Sequence, residues 1–190
     1  GGQEPVQRKP RCEFFSSFFY AILRNSKRGK KGCYEDVKRW GRKKLLEKMD
    51  HIFFPINISN SHWCLGVVLP KLKLIRYYDS LGGGNQECLD RLEGYMQYEG
   101  RSRGEKGKCL LGAWKKENVG PRASTAGAPD TIPRQLDGCS CGVFACCFAD
   151  LISGGHGLDS WVDDLNVPCF AQNDMEDLRA EMLRLFLARE

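Results

Sequence analysis

Ten cysteines and three histidines are the side chains of this sequence best suited to nucleophilic chemistry. One cysteine is better placed than the rest. Gln135-Leu136-Asp137-Gly138-Cys139-Ser140-Cys141-Gly142 is a polar, glycine-bracketed turn that runs straight into an apolar segment. In that segment Val143, Phe144, Cys147, Phe148 and Leu151 fall at helical spacing, so Cys141 stands at a helix entrance. The positive end of the helix dipole favours the thiolate there, and the thiolate is the nucleophilic form. Gly138 and Gly142 let a substrate approach the backbone closely. The free N–H groups of the first helical turn face a developing oxyanion, and the Gln135 amide could supply a further donor.

A cysteine nucleophile needs a base. His51 opens an apolar strand and His156 sits in the glycine-rich run Ser153-Gly154-Gly155-His156-Gly157. His62 begins His62-Trp63-Cys64-Leu65-Gly66-Val67-Val68, at the mouth of a sheet where a catalytic side chain can face solvent. Such a base needs a carboxylate to fix its tautomer. Asp79 follows Ile75-Arg76-Tyr77-Tyr78, and antiparallel pairing of the two strands sets the start of one beside the end of the other. Taken singly, each residue has a plainer reading: a cysteine in an apolar helix usually packs, and a histidine at a strand start is often structural. The spacing of the set is stronger evidence than any one of them.

These residues need elements to hold them. Residues 1–10, polar with Pro5 and Pro10, read as a disordered lead to a single domain over 11–190. Cys12 to Leu23 predicts one buried helix, and Tyr34 to Lys48 a second through Val37, Trp40, Leu45 and Leu46. His51–Ile58, His62–Leu69 and Leu74–Tyr78 predict strands, the first two split by Ser59-Asn60-Ser61. Cys88–Tyr98 reads as an amphipathic helix, and 99–131 as a flexible surface loop around the short buried element Cys109–Trp114. Helices follow over Cys141–Ile152 and Met175–Ala188. Helices first, strands in the middle and helices last indicate an α+β fold.

Composition bounds the function. A chain of 190 residues buries a core without staples, and no apolar stretch approaches the roughly 20 residues of a membrane span. The cysteines sit mostly in apolar runs, as reduced core residues of an intracellular protein. Residues 1–48 hold 14 Lys and Arg against 5 Asp and Glu, while the remainder hold 15 against 19. A basic front suits an acidic partner, and with no nucleic-acid motif present nucleic acid is not expected. A zinc site from Cys139, Cys141, Cys146, Cys147 and His156 would have a spacing foreign to fingers and ribbons, so no metal and no cofactor are expected.

The segments PINISNSHWCLGVV, IRYYDSLGG and PRQLDGCSCGVFACCFAD resemble the sentrin/SUMO-specific proteases, which are related to adenovirus protease. The family pattern runs from an HW pair, through a strand ending in YDS, to Q-x-x-G-x-D-C-G. It is matched in order by His62-Trp63, Tyr78-Asp79-Ser80 and Gln135, Gly138 and Cys141-Gly142, with weaker likeness over about 14–187. The resemblance implies a papain-like α+β fold with a central mixed sheet flanked by helices. It also implies cleavage after the Gly-Gly terminus of SUMO-like modifiers, in maturation and deconjugation. Cys141 is then the nucleophile, His62 its base, Asp79 the orienting acid and Gln135 the oxyanion donor. Trp63, Gly138 and Ser140 would meet the substrate, Trp63 roofing a tunnel that admits only glycine. The partner would be a SUMO-like ubiquitin-fold protein met by a monomer, in the nucleus, at the nuclear envelope or in the cytoplasm. NEDD8 or ubiquitin cleavage, acetyl transfer on the same fold, and a degenerate SUMO-binding module are the alternatives. Two features depart from the pattern: Ser140 precedes the nucleophile where the family has Asp, and no W-L-N-D-like segment is found. Cys139, two residues before Cys141, is a candidate redox partner for it.

Overall fold

Alternating apolar residues in three consecutive strands decide the architecture. The computed structural model describes residues 8–26, 29–121, 132–154 and 170–188. In it, β1 (Cys12–Phe14), β2 (His51–Ile58), β3 (His62–Leu69), β4 (Leu74–Tyr78) and β5 (Lys115–Val119) form one sheet in that order. The outer pairs β1–β2 and β4–β5 are parallel, and the inner pairs are antiparallel. The helices are α1 (Phe18–Arg24), α2 (Gly29–Gly41), α3 (Gln86–Ser102), α4 (Cys141–Ser153) and α5 (Met175–Leu187). This is the expected α+β arrangement of a mixed sheet flanked by helices.

The two-residue period of the strands divides the core in two. Ile52, Phe54, Ile56, Cys64, Val68, Ile75 and Tyr77 pack with residues of α1, α2 and α3 on one face. Phe53, Leu65, Val67, Leu69, Leu74 and Tyr78 pack with α4 and the start of α5 on the other. α3 crosses close: a Cβ on Gly66 would lie 2.9 Å from Leu92 Cδ1. At the β2–β3 turn, Ser59 and Asn60 both take positive φ, the hand that tight hairpins favour, and the Asn57 side chain accepts the Asn60 N–H.

The central strands and the helices after them match the predicted ranges to within a few residues. Three segments differ. Cys12–Leu23 is not one helix: Cys12–Phe14 pairs with His51–Phe53 as an edge strand, and only Phe18 onward is helical. The second helix ends at Gly41 instead of running to Lys48, because the Arg103 guanidinium donates to the carbonyls of Gly41 and Lys44, both at 2.7 Å. Residues 99–121 are not a loop but the end of α3, a 3-10 turn and the strand β5. The rest of the expected loop, 122–131, lies outside the described residues, as does the lead 1–7. Arg8 is tied down, its guanidinium 3.0 Å from Asp50.

Candidate active site

β3 and β4 run antiparallel with Leu65 opposite Tyr78, which brings the first residue of β3 beside the residue that follows β4. His62 Nε2 and Asp79 Oδ1 are 2.7 Å apart. An ionised carboxylate only accepts, so Nε2 carries the proton and Nδ1 is the ring nitrogen left to take one. Asp79 is buried at 5% exposure and is held from several sides. Its Oδ1 accepts the Leu81 N–H at 2.9 Å, and its own N–H donates to the Val119 carbonyl. The glycine loop wraps it closely, since a Cβ on Gly83 would fall 2.5 Å from Asp79 Oδ2.

Cys141 is the first residue of α4 and is 5% exposed. α4 lies on β3 so that Trp63 Cδ1 would be 3.6 Å from a Cβ on Gly142. The residue after the histidine thus packs on the residue after the cysteine. Trp63 itself is half-buried and forms the ridge between two grooves. An apolar one of about 490 Å³ is lined by Phe14, Phe53, Pro55 and Ala145, and a more polar one of about 570 Å³ by Phe18, Ala21, Asn57 and Asn60.

Gln135 joins the two halves of the site. Its N–H donates to the Ser80 carbonyl at 3.0 Å, and its Oε1 accepts the Ser80 hydroxyl at 2.8 Å. Ser80 directly follows Asp79, so the amide of Gln135 is oriented by the segment that carries the acid. Its Nε2 donates to the carbonyl of Asp137 at 2.7 Å and approaches Asp137 Oδ1 at 3.1 Å.

Ser140 faces inward. Expected at the substrate face, it is wholly buried, and its hydroxyl is taken by Asp137 Oδ2 at 2.5 Å and Arg179 Nη2 at 3.0 Å. Its side chain therefore braces the turn. Gly138 is exposed, with open space around a would-be Cβ. Cys139 is an exposed free thiol, and His156 lies outside the described residues.

Sequence reasoning passed over Cys64, Ser80, Asp137, Gln172 and Arg179. Cys64 lies below the histidine on the same strand face, and ligand atoms of His62, Cys64 and Asp79 fall within 4.8 Å of one another. Burial pushes the Cys64 thiol far above its ordinary range, with the neighbouring Asp79 adding to the shift, so it is a neutral thiol. Burial likewise pushes the Cys88 and Cys147 thiols up to about 12, which marks them as core residues.

The model of the Ulp1 protease family C-terminal catalytic domain matches residues 3–186. This chain belongs to the Ulp1 protease family. Among curated relatives of this family, it is 31% identical over 174 residues to a Caenorhabditis elegans sentrin-specific protease, covering 92% of this chain and 21% of that one. It is 33% identical over 147 residues to human sentrin-specific protease 2, covering 77% and 22%. The chain therefore spans about a fifth of the length of these relatives. Among solved Ulp1-family structures, it is similar to the C-terminal Ulp1 protease domain in complex with Smt3, the yeast ortholog of SUMO. That likeness has TM-score 0.65 and 28% identity, over 90% of this chain and 65% of the other. The SUMO protease Ulp1 with its catalytic cysteine oxidised to a sulfenic acid gives TM-score 0.70 and 28% identity, over 95% and 70%. Against the Ulp1-family pattern, Ser140 stands out as the departure nearest Cys141, and the structure fills its surroundings with a carboxylate from Asp137.

Proposed function

We propose that this Ulp1-family domain is a thiol protease that cleaves after the C-terminal Gly-Gly of a SUMO-like modifier, both in precursors and in lysine conjugates. The observation that carries the reading is the 2.7 Å His62–Asp79 pair at the end of the sheet where α4 presents Cys141, with Gln135 locked to the same loop by Ser80. The relatives' names and the Smt3-bound neighbour support the modifier class.

The chemistry follows from the groups in place. His62 Nδ1 takes the Cys141 proton, and the thiolate attacks the carbonyl carbon of the terminal glycine. The oxyanion forms against the N–H groups at the start of α4 and the Gln135 amide. The imidazolium, steadied by Asp79, gives the proton to the leaving lysine amine, and the C–N bond breaks. Water then attacks the thioester, its proton passes to His62 and returns to the Cys141 sulfur, and the modifier leaves with a free carboxylate. Trp63 covers the tail, and a flat indole at contact distance excludes side chains larger than hydrogen. Gly138 leaves backbone open to it, and Cys139 sits where it could trap an oxidised Cys141. Among the described residues no helix is long and apolar enough to cross a membrane; we place the activity in the nucleus or at its envelope, a location that imaging of the tagged full-length protein tests.

Hydrolysis of fluorogenic C-terminal conjugates of SUMO, NEDD8 and ubiquitin tests the reading. Turnover on SUMO well above the other two is expected. Preference for NEDD8 or ubiquitin would move the enzyme to another modifier. Tight SUMO binding without turnover, and without labelling of Cys141 by a SUMO vinyl sulfone, would make the domain a binding module.

A further inference from the structure

Asp137 has no role in the chemistry above, yet five hydrogen bonds converge on its side chain among the described residues. Its Oδ1 accepts the N–H of Cys139 at 3.1 Å and of Ser140 at 2.9 Å, and lies 3.1 Å from Gln135 Nε2. Its Oδ2 accepts the Ser140 hydroxyl at 2.5 Å and Gln172 Nε2 at 2.7 Å. Its main-chain carbonyl takes the other contact from Gln135 Nε2, at 2.7 Å. One residue therefore holds the oxyanion amide, the two peptide N–H groups before the nucleophile and the residue that caps its helix.

We propose that Asp137 is a positioning residue for the reaction, a carboxylate that sets the Gln135 amide and the entrance of α4 from three positions before the usual family acid. The inference rests on the cysteine-protease reading of this site.

The serine at position 140 makes the arrangement work. An aspartate there would bring its own carboxylate into the space where Asp137 Oδ2 sits. Serine instead bridges, donating to Asp137 and accepting from Arg179 Nη2 at 3.0 Å. The same guanidinium reaches toward the Cys139 carbonyl at 3.5 Å. Gln172 closes the bracket from outside, its Oε1 accepting the Leu136 N–H at 2.8 Å while its Nε2 donates to Asp137. Donation by the Ser140 hydroxyl, opposed by desolvation but joined by the Ser140 and Cys139 amides and Gln172, holds the carboxyl far below its usual range. Asp137 thus stays ionised throughout the neutral range.

The catalytic consequence runs through Gln135. Its amide carries two N–H groups: Ser80 fixes the carbonyl end, while the Asp137 main-chain carbonyl takes the nitrogen end at 2.7 Å and the carboxylate adds a contact at 3.1 Å. The longer contact, to Oδ1, is the one to be shared when an oxyanion appears. Without the carboxylate the amide keeps only its contact to the Asp137 main-chain carbonyl and the Cys139 and Ser140 N–H groups lose their acceptor, and misplacing catalytic groups by about 1 Å costs on the order of 10²-fold.

The test measures kcat and KM on a fluorogenic SUMO tail, with thermal midpoints, for the wild type, Asp137→Ala, Asp137→Asn and the double variant Asp137→Ala/Ser140→Asp. Asp137→Ala is expected to lower kcat by roughly 10–10²-fold with KM within about twofold. Asp137→Asn keeps one acceptor oxygen and should fall between it and the wild type. Ser140→Asp in the Asp137→Ala background restores a carboxylate facing Arg179 and should recover most of the lost kcat. Wild-type kcat in Asp137→Ala overturns the proposal. So does a loss that tracks the fall in thermal midpoint and is not rescued by Ser140→Asp, since a purely structural brace behaves that way. If Asp137→Ala does not fold, Asp137→Asn with unchanged kcat overturns it. A wild type inert on every tail overturns the protease reading first, and this inference with it.

Discussion

Cys139 and Cys141 lie two residues apart, but one is exposed in the turn and the other is buried at the start of a helix. Cys141→Ser is expected to keep the fold and lose about 10⁴–10⁶-fold in turnover, the cost of removing a nucleophile from a set that works as a unit. Cys139→Ser should keep a substantial fraction, and reversed behaviour in a steady-state assay would reassign the nucleophile. The same variant reads redox coupling. After mild peroxide and then dithiothreitol, the wild type should recover activity that Cys139→Ser does not, through a disulfide that replaces irreversible oxidation. His62→Ala should be nearly as damaging as loss of the cysteine. Asp79→Asn should leave residual turnover, because the acid orients the ring and does not take its proton. His62 and Asp79 were legible in the sequence because strand register alone sets them side by side. Asp137 was not, since its role depends on which way five separate donors point, and one of them, Gln172, comes from the far end of the chain without any local pattern, as does Arg179, which steadies Ser140.

Elements vary in the same way. β2, β3 and β4 announce themselves by apolar alternation bounded by turns, whereas β5 is Lys115-Lys116-Glu117-Asn118-Val119, a polar edge strand with nothing to alternate. β1 is hidden for the opposite reason, inside an apolar run too uniform to tell strand from helix. What holds β1 in register is charge. Asp50, just before β2, accepts the Arg11 N–H at 2.7 Å and pairs with Arg8 at 3.0 Å and Lys71 at 2.5 Å. Desolvation opposes its ionisation, but the Lys71 ammonium, the Arg11 amide and Arg8 outweigh it and hold the carboxyl at about 2, below the ordinary 3.8. A lowered carboxyl contributes stability that is present above its unfolded value and lost as pH falls toward the folded one. Urea midpoints should therefore fall between about pH 4 and 2, and Asp50→Asn should remove its own part of that slope, the remainder belonging to Asp137 and other lowered carboxylates, while lowering the midpoint near neutrality. On β3, Trp63→Ala should slow cleavage of a Gly-Gly tail and relax rejection of Gly-Ala. A wild type that cuts both tails equally would dispose of the indole as a gate.

At the scale of the whole molecule, the sheet separates two cores, and the site draws on both. His62 and Asp79 are carried by the sheet, while Cys141 rides on α4, which is seated by Phe144 and Phe148 against Tyr78 and Phe170. Phe148 is 1% exposed, so Phe148→Ala should cost about 3–5 kcal/mol in a urea melt. It should also lower kcat in conditions where the variant remains folded, because α4 shifts against β3. An equally deep truncation under α3, Leu92→Ala, should cost stability with less effect on kcat.

This division also sets an order of events for a chain being made. The histidine and its acid are 17 residues apart in strands that pair as neighbours, so they can meet early. Ser80 and Gln135, which bind the second half of the site to the first, are 55 residues apart, and the helix bearing the thiol comes later still. Long loops close slowly. A ribosome therefore releases the sheet before the helix that carries Cys141, and on the proposed reading the nascent protein spends its most exposed interval without its nucleophile.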